Sequence, residues 1–269
     1  MNTAMNNSLV LVTGGTGTLG NQVVPLIRAA GHDVRVLSRR PREEQDAVEY
    51  VTGDLLRDEG IDAAVAGAGI IVHLAGNPKG DDEAARNLVR AAARSGTPHI
   101  VYISVVGAGR VPVVSGVDRA MFGYFADKLA AEWIIADSGL PWTTLRATQF
   151  HDLQLKVAQQ MARLPVIPVP SGFSFQPIDT GEVAARLVEL ALGAPAGRVP
   201  DMAGPQVWTA TELVRSYLRA QGKHRLTLPV RIPGKAAAAF RAGANLARDR
   251  AVGQRTWEDF LAGRVLQHA

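Results

Sequence analysis

A short run of glycines follows the first apolar segment of the chain and could bind a phosphate group. Gly14, Gly17 and Gly20 come directly after the apolar stretch Leu9 to Val12. Glycine permits positive φ in a tight turn, lets a pyrophosphate approach the backbone, and lets the next helix pack close to the strand. The helix N-terminus would then present free N–H groups and a positive dipole to the phosphates. We expect a dinucleotide-binding turn, with an ordinary glycine-rich turn as the alternative. The cofactor-binding residues predicted here are Gly14, Thr16, Gly17, Thr18, Leu19 and Gly20.

The next predicted strand ends in two arginines, which help to distinguish an NADP(H) site from an NAD site. An NAD site places an acidic residue ~20 residues after the glycines, where it binds the ribose 2′-hydroxyl. This chain instead reads Ser38-Arg39-Arg40 there, with no acidic residue before Glu43. Guanidinium groups and a hydroxyl suit a 2′-phosphate, which a carboxylate would repel. The pattern favours NADP(H) over NAD, the alternative being two surface arginines at a strand end.

A tyrosine and a lysine four residues apart could support proton transfer. Tyr124 and Lys128 would lie on one face of a helix, and a nearby ammonium lowers the pKa of a phenol. Such a tyrosine can protonate a carbonyl oxygen while hydride arrives at its carbon. Ser104, at the end of a predicted strand, could hydrogen-bond the same oxygen. The pair alone is common and usually structural, but combined with the serine and the glycine-rich turn it indicates a catalytic site.

The elements that would position these residues alternate between strands and helices. This rhythm predicts an α/β, Rossmann-type, doubly wound parallel sheet with helices on both faces. The predicted strands are Leu9 to Thr13, Asp33 to Ser38, Val48 to Val51, Ile70 to Leu74, His99 to Ser104 and Trp142 to Arg146. The predicted helices are Asn21 to Ala30, Asp58 to Ala66, Asp81 to Ser95 and Tyr124 to Ser138. The long segment Gly107–Gly123 is expected to form a mobile flap over the substrate.

After residue 150 the alternation loosens, and we expect a smaller lobe there. The predicted helices are Thr180 to Leu192, opened by a capping-box pair of Asp179 and Glu182, then Thr209 to Gln221 and Pro233 to Arg248. The sequence is accordingly divided into an NADP(H)-binding Rossmann domain at 1–150 and a substrate-binding lobe at 151–269. The lobe would pack on the sheet ends as part of a single compact unit.

Composition narrows the classes of function. The chain has 269 residues, no cysteine and six histidines, none of them spaced three or four apart, so we expect no metal site. Its net charge of +4 is uneven, because residues 201–269 hold 11 Lys/Arg against five Asp/Glu. Solvated helix faces explain this better than nucleic-acid binding, since no polybasic run occurs. With no signal-like start and no membrane-length apolar run, we expect a cytoplasmic protein without membrane contact.

Several motifs together resemble the short-chain dehydrogenase/reductase family, in its atypical or extended form and especially the NmrA-like branch. They are Thr13-Gly-Gly-Thr-Gly-Thr-Leu-Gly20, Gly53-Asp54-Leu55, His73-Leu-Ala-Gly76, Tyr102-Ile-Ser104, Tyr124-x-x-x-Lys128, Leu145-Arg-Ala-Thr-Gln-Phe150 and Gln176-Pro-Ile-Asp-Thr-Gly-Glu-Val-Ala184. Two departures stand out. The family's Asn-Ala-Gly segment reads Leu74-Ala75-Gly76-Asn77, and Ser104 is followed by Val105-Val106-Gly107 rather than by further serines. The exact proton relay is therefore open.

The resemblance implies a role for further residues. Asp54 and Leu55 would lie against the adenine, Ala75 and Gly76 along the ribose and pyrophosphate, and Lys128 at the nicotinamide ribose. The residues that would border the nicotinamide and substrate are Thr148, Gln149 and Phe150. A turn aspartate and a strand-ending glycine are the alternatives for Asp54 and Gly76. His151 could contact the substrate or donate a proton, with a solvated helix-start histidine as the alternative.

These observations predict an NADPH-dependent reductase that acts on a carbonyl or activated double bond of a small organic molecule, of quinone or ketone type. Ser104, Tyr124 and Lys128 are its predicted catalytic residues. One alternative is a non-catalytic NADP(H) sensor that regulates a partner, although such sensors often lack the tyrosine–lysine pair. Another is a sugar-nucleotide epimerase or dehydratase, which the short last third disfavours. We expect a monomer or homodimer that binds no nucleic acid.

Overall fold

A computed structural model describes residues 8–44, 46–76 and 79–265. Among these, no helix is long and apolar enough to cross a bilayer. The prediction of no signal sequence concerns residues 1–7, and the departure at Asn77 concerns one further residue. Both lie outside the described ranges.

The first two thirds of the chain alternate between strands and helices as predicted. The strands are β1 Leu9–Thr13, β2 Val34–Ser38, β3 Val48–Thr52, β4 Ala68–His73, β5 His99–Val105 and β6 Trp142–Ala147. The helices are α1 Gly20–Ala29, α2 Ile61–Val65, α3 Asp81–Arg94 and α4 Gly116–Ala136. Helix ends shift by a few residues from the predicted bounds, as helix ends commonly do, and the start of α4 shifts by more.

The remaining elements are shorter and more varied. They are α5 His151–Met161, β7 Val166–Pro170, β8 Ser174–Phe175, α6 Thr180–Leu192, β9 Gly197–Arg198, β10 Trp208–Thr209, α7 Ala210–Ala220, β11 Leu226–Val230, α8 Lys235–Arg241 and α9 Trp257–Val265, with a 3₁₀ turn at Arg248–Arg250. The helix predicted from Pro233 to Arg248 is therefore half as long as expected. It ends near Gly243, whose φ is +82°.

The described chain divides into two compact units that interleave along the sequence. Unit 1 contains the described residues of Met1–Ser104, Asp127–Leu145 and Val183–Val199, and unit 2 contains those of Val105–Ala126, Arg146–Glu182 and Pro200–Ala269. The division predicted at residue 150 stays a prediction. The assignment of cofactor to the first part and substrate to the second stays a prediction.

Unit 1 is built on a seven-stranded sheet in the order β3-β2-β1-β4-β5-β6-β9. The pairs β1–β2, β1–β4, β2–β3, β4–β5 and β6–β9 are parallel. This confirms the predicted Rossmann-type fold, because the strand order reverses between β1 and β4, the place where such sheets open a ligand crevice. The buried residues on one face of the sheet pack against α2, α3 and α4, with Leu11, Ile71, Leu88, Tyr102 and Ile135 among them.

Unit 2 holds two small sheets and an aromatic core. β7 pairs with β11 in parallel, and β8 pairs with β10 antiparallel. Phe122 and Phe125 on α4 pack against Phe240 on α8, at ring-centroid distances of 5.0 and 5.4 Å. Phe173 also contacts Phe240, at 5.2 Å. This core orders the first turns of α4.

The predicted flap Gly107–Gly123 is wrong over its second half, because α4 begins at Gly116. The Asp118 amide donates to Ser115 Oγ at 3.1 Å, and the Ser115 amide donates to Asp118 Oδ2 at 3.2 Å. These reciprocal bonds form a capping box. The expected capping box of Asp179 and Glu182 is also wrong, since Asp179 Oδ1 accepts from the Gly181 amide and Glu182 accepts from residues far along the chain.

Candidate active site

The glycine-rich turn joins β1 to α1 and tolerates no side chain at two positions. Gly14 has φ of +71°, and a Cβ there would lie 2.7 Å from the Ala75 amide nitrogen. A Cβ at Gly20 would overlap the Gly14 carbonyl oxygen. The Gly17 amide donates to that same carbonyl at 3.0 Å, which closes the turn. Because Gly14 and Gly20 carry no side chain, the backbone at the N-terminus of α1 is accessible. It forms a cradle whose shape fits a phosphate group.

A cavity of about 230 Å³ lies beside this turn in unit 1, at the carboxyl ends of the strands. Nine predicted cofactor residues line it: Gly14, Thr16, Gly17, Ser38, Arg39, Asp54, Leu55, Ala75 and Gly76. Thr13, Leu37, Gly53 and Leu74 line it as well, although the sequence reasoning did not select them. The residues at this end of the sheet therefore suit the adenosine and phosphate part of a dinucleotide.

Other residues predicted around the turn serve its architecture. Leu19 is buried and Gly20 opens α1, whereas Thr18 is exposed. The Ser38 hydroxyl donates to the Arg40 carbonyl at 2.9 Å, which folds the chain after β2 so that Arg39 lines the cavity. Arg40 is exposed and is absent from the cavity lining.

Asp54 is a turn aspartate that also lines the cavity, and its predicted contact with the adenine stays a prediction. Its Oδ1 accepts a hydrogen bond from the Leu56 amide at 2.8 Å, the geometry of a turn aspartate. The same residue lines the cavity beside Leu55, whose carbonyl accepts from Asn87 Nδ2 at 2.7 Å. α3 thereby fixes the loop that borders the cavity.

Lys128 is buried in an ionic cluster of unit 1. Its Nζ lies 3.1 Å from Asp81 Oδ2, and both side chains are nearly inaccessible, at 3% and 1% exposure. Nζ also donates to the Ile103 carbonyl at 3.2 Å and lies 4.8 Å from the centre of the Tyr102 ring. A Cβ built on Gly76 would lie 3.7 Å from Nζ. The ammonium therefore lies beside Gly76, one of the residues that line the cavity.

His73 forms the opposite side of this cluster. Its ring stacks on Tyr102 at 5.2 Å, and its Nδ1 lies 2.7 Å from Thr13 Oγ1. Burial, reinforced by the positive charge of Lys128, lowers the pKa of His73 from 6.5 to about 3. The imidazole is therefore neutral near pH 7 and acts as a hydrogen-bonding spacer between β1 and β5.

Ser104 is bound to a carboxylate that the sequence reasoning missed. Its Oγ donates a short hydrogen bond to Glu132 Oε1, and both residues are buried. Glu132 lies one helical turn after Lys128, so the spacing Tyr124, Lys128, Glu132 along α4 was a signal available in the sequence. Asp81 carried a weaker signal, since three acidic residues open α3 and nothing distinguishes the buried one.

Tyr124 belongs to unit 2, one helical turn before Lys128 on α4. Its side chain is 38% exposed and its ring meets Phe125 edge-on at 5.8 Å. An exposed phenol on the helix that also carries Lys128 is compatible with the predicted catalytic role, which stays a prediction.

The residues after β6 also belong to unit 2. Thr148 Oγ1 donates to the Gln176 carbonyl at 2.6 Å, and Gln149 Nε2 donates to the Asn245 carbonyl at 3.4 Å. Phe150 is the N-cap residue of α5 and bridges to Ile178. The Thr148 hydroxyl is thus engaged with the backbone, and the cofactor contacts predicted for these three residues stay predictions.

The structure argues against a substrate contact by His151. The side chain is fully buried in unit 2, with its ring 5.0 Å from Phe260 and 5.9 Å from Trp257. Burial lowers its pKa from 6.5 to about 4, the opposing influence of Asp179 being smaller. The solvated-histidine alternative is also wrong, because the ring is a packing element of the core.

A family model described as NAD(P)H-binding matches residues 14–193. The chain is 30% identical to a ceramide reductase of Caulobacter vibrioides, over 84% of this chain and 74% of the relative. It is 28% identical to a (4-alkanoyl-5-oxo-2,5-dihydrofuran-3-yl)methyl phosphate reductase of Streptomyces griseus, over 80% and 74%.

Among solved structures, an NADPH-dependent quinone oxidoreductase of Escherichia coli in complex with NADPH superposes with a TM-score of 0.79. The match covers 95% of this chain and 99% of that chain at 18% sequence identity. At this identity the likeness shows the fold alone.

Proposed function

Because the chain belongs to the NAD(P)H-binding family, as its resemblance to the short-chain dehydrogenases/reductases implied, we propose that it is an NADPH-dependent reductase. Its substrate would be a small organic molecule with a carbonyl or an activated double bond, of quinone or ketone type. One observation carries this proposal above all. The buried Lys128 Nζ lies beside Gly76, which lines the cofactor-type cavity, and Tyr124 precedes Lys128 by one turn on the same helix.

The relatives support a reductase of small molecules. Two curated relatives that match most of the chain are named reductases, one of ceramide and one of a phosphorylated butenolide. Their substrates differ, so the identity of the substrate is not carried over. That the protein works in the cytoplasm, as a monomer or homodimer, is part of the proposal.

The donors around the cavity support NADP(H) as the cofactor. The cradle at Gly14 and Gly20 would take the pyrophosphate on the N-terminus of α1. Arg39 would bind the 2′-phosphate through its guanidinium, since it lines the cavity where an NAD enzyme would carry a carboxylate. Asp54 and Leu55 would border the adenine.

Each catalytic residue has a distinct task in this proposal. NADPH supplies the hydride when bound. Lys128 holds positive charge next to the cofactor ribose and favours the phenolate form of Tyr124, which lets that phenol give up its proton to the substrate oxygen. Ser104 orients the oxygen, and Glu132 holds the serine hydroxyl in one rotamer through their hydrogen bond.

Replacing the phenolic hydroxyl tests this assignment. Tyr124→Phe is expected to keep the NADPH dissociation constant of the parent and to lower kcat about a hundredfold or more, because general acid catalysis contributes that much. Tyr50→Phe, which removes a partly exposed phenol on β3, is the matched control and should turn over normally. The measurement is NADPH oxidation with a panel of quinones and ketones. Unchanged turnover in Tyr124→Phe would contradict the role of Tyr124, and tight NADPH binding without turnover of any panel member would contradict the reductase.

A further inference from the structure

One face of unit 2 exposes a row of aliphatic side chains. β7 and β11 form a two-stranded parallel ribbon in which Leu226 pairs with Val166 and Leu228 pairs with Pro168. Their exposures are 68% for Leu226, 54% for Leu228, 42% for Val166 and 40% for Val230. We call this set, with Pro168, the ribbon face.

The two faces of the ribbon differ because strand residues alternate in direction. Ile167 and Val169 of β7 are buried, and Thr227 of β11 accepts a hydrogen bond from Arg215 of α7 at 3.0 Å. α7 therefore covers the inner side. The ribbon face is the exposed side of the two strands, opposite Ile167 and Val169, and leaving so many aliphatic side chains together in contact with water costs free energy that a binding partner would recover.

Cations surround one end of the ribbon face. Leu226 lines an open hollow of about 490 Å³ together with Arg215, Leu218, Arg219, Lys223, His224 and Arg225. Lys223 and Arg225 also line an adjacent hollow of about 610 Å³ with Arg163. Between Leu213 and Arg248 the sequence contains eight Lys or Arg residues and no Asp or Glu. The positive charge is thus not compensated by acidic residues of the same segment.

The combination of an aliphatic row with a cationic border selects one kind of partner. A second copy of this chain would bring the same cations against these, which is repulsive. Addition of a strand to the ribbon edge is disfavoured by Pro168, Pro170 and Pro229, which cannot donate backbone hydrogen bonds. An anionic lipid surface offers both requirements at once, acyl chains for the aliphatic row and phosphate groups for the cations.

We propose that the ribbon face and its cationic border dock this protein onto the surface of a bilayer that contains anionic lipids. The association is peripheral, with Leu226 and Leu228 entering the acyl boundary and Lys223 and Arg225 pairing with lipid phosphates. It replaces the sequence-based expectation of no membrane contact. It is independent of the proposed reductase activity, because none of these residues belongs to the candidate active site.

Vesicle flotation with the full chain tests the docking. The parent is expected to float with vesicles of phosphatidylcholine and phosphatidylglycerol, to stay behind with phosphatidylcholine alone, and to lose binding at high salt. Lys223→Glu combined with Arg225→Glu should weaken binding at least tenfold. Arg28→Glu combined with Arg57→Glu makes the same change in net charge at exposed positions of unit 1 and should bind as the parent does.

The aliphatic contribution is tested separately. Leu226→Ser combined with Leu228→Ser should weaken binding at least tenfold, whereas Leu153→Ser, a 51% exposed leucine on α5, should not. A circular-dichroism spectrum and a melting temperature equal to those of the parent verify the fold of each variant. The proposal is overturned if the parent fails to bind anionic vesicles, binds neutral vesicles equally well, or binds as tightly after either double substitution. Retention by an acidic protein without any vesicle binding would overturn it as well.

Discussion

At the scale of single residues, the buried ammonium of Lys128 lies next to a buried carboxylate, that of Asp81. Burying an ammonium costs several kcal/mol unless a counter-charge and hydrogen bonds offset the loss of water. Asp81 at 3.1 Å and the Ile103 carbonyl at 3.2 Å provide that compensation. The Tyr102 ring adds its negative face at 4.8 Å. Asp81 is therefore a positioning residue, which holds the Lys128 ammonium beside Gly76.

Removing that carboxylate should be costly. Asp81→Asn is expected to lower the free energy of unfolding by about 3 kcal/mol, because it leaves a buried charge without its partner. Asp82→Asn, on the same turn of α3, removes only an exposed pair with Arg86 and should cost less than about 1 kcal/mol. Urea denaturation of both variants measures the difference. Equal losses would show that burial of the Asp81–Lys128 pair does not matter.

The guanidinium at the end of β2 should determine cofactor preference. Arg39→Ala is expected to raise the dissociation constant of NADPH about tenfold or more, because a charge-assisted hydrogen bond contributes about 1.5–3 kcal/mol. The affinity for NADH should stay the same. Arg28→Ala, at the exposed end of α1, is the control that should affect neither nucleotide. Equal weakening of NADPH and NADH would contradict a 2′-phosphate contact.

At the scale of elements, two local motifs set the geometry. The turn between β1 and α1 brings the Gly14 carbonyl against Gly20. The first residue of α1 therefore lies next to the carboxyl end of β1 in space. The capping box of Ser115 and Asp118 starts α4 eight residues before Tyr124. Tyr124 therefore lies inside a helix with complete turns on both sides, rather than at a frayed first turn, and its spacing from Lys128 is fixed by the helix.

The tight turn predicts that a methyl group added at Gly20 strongly destabilises the fold. Gly20→Ala should lower the melting temperature by several degrees or prevent folding, since its Cβ would overlap backbone atoms of Gly14 and Gly15 that cannot move aside cheaply. Gly69→Ala on β4 is the control, because its Cβ would meet only the Ser8 side chain at 3.5 Å. Thermal unfolding followed by circular dichroism compares them, and similar melting temperatures would refute the close approach.

At the scale of the whole molecule, two buried histidines link stability to pH. The pKa of His151 falls from 6.5 to about 4 and that of His73 to about 3, in both cases chiefly through burial. Below about pH 6.5 the unfolded chain binds protons that the native protein does not. Stability is therefore complete above that pH and declines as the pH falls toward the native values.

The buried histidines should give the free energy of unfolding a measurable slope against pH. Between about pH 6 and about pH 4.5 each histidine should reduce the free energy of unfolding by about 1.4 kcal/mol per pH unit. His151→Gln removes one titrating group, so its pH dependence should be shallower than that of the parent. Gln160→Ala, at an exposed position of α5, removes no titrating group and should leave the slope as it is. Urea denaturation at several pH values measures the free energy of unfolding of each variant. If it changes with pH in the same way for the parent and His151→Gln, His151 is not a buried neutral histidine.

The sequence alone predicts some parts of the structure better than others. The alternation of strands and helices, the parallel sheet that it implies, and the glycine-rich turn beside the cavity were predictable. They depend on local patterns, namely apolar runs, glycines at fixed spacing and residues directly after strands. Nine of the predicted cofactor residues do line the cavity. The start of α4 was also encoded locally, at Ser115 and Asp118, but was read as a flap.

The ionic partners and the burial of His151 were decided by tertiary structure. Asp81 pairs with Lys128 from 47 residues away, and Glu132 meets Ser104 across 28 residues. Nothing in the local sequence distinguishes Asp81 from Asp82, or His151 from a surface histidine, because desolvation depends on which elements pack around a side chain. Residue types and spacing therefore identified the chemistry that the chain can support. Only the packed fold determined which charges are buried, which are paired, and which aliphatic side chains remain exposed.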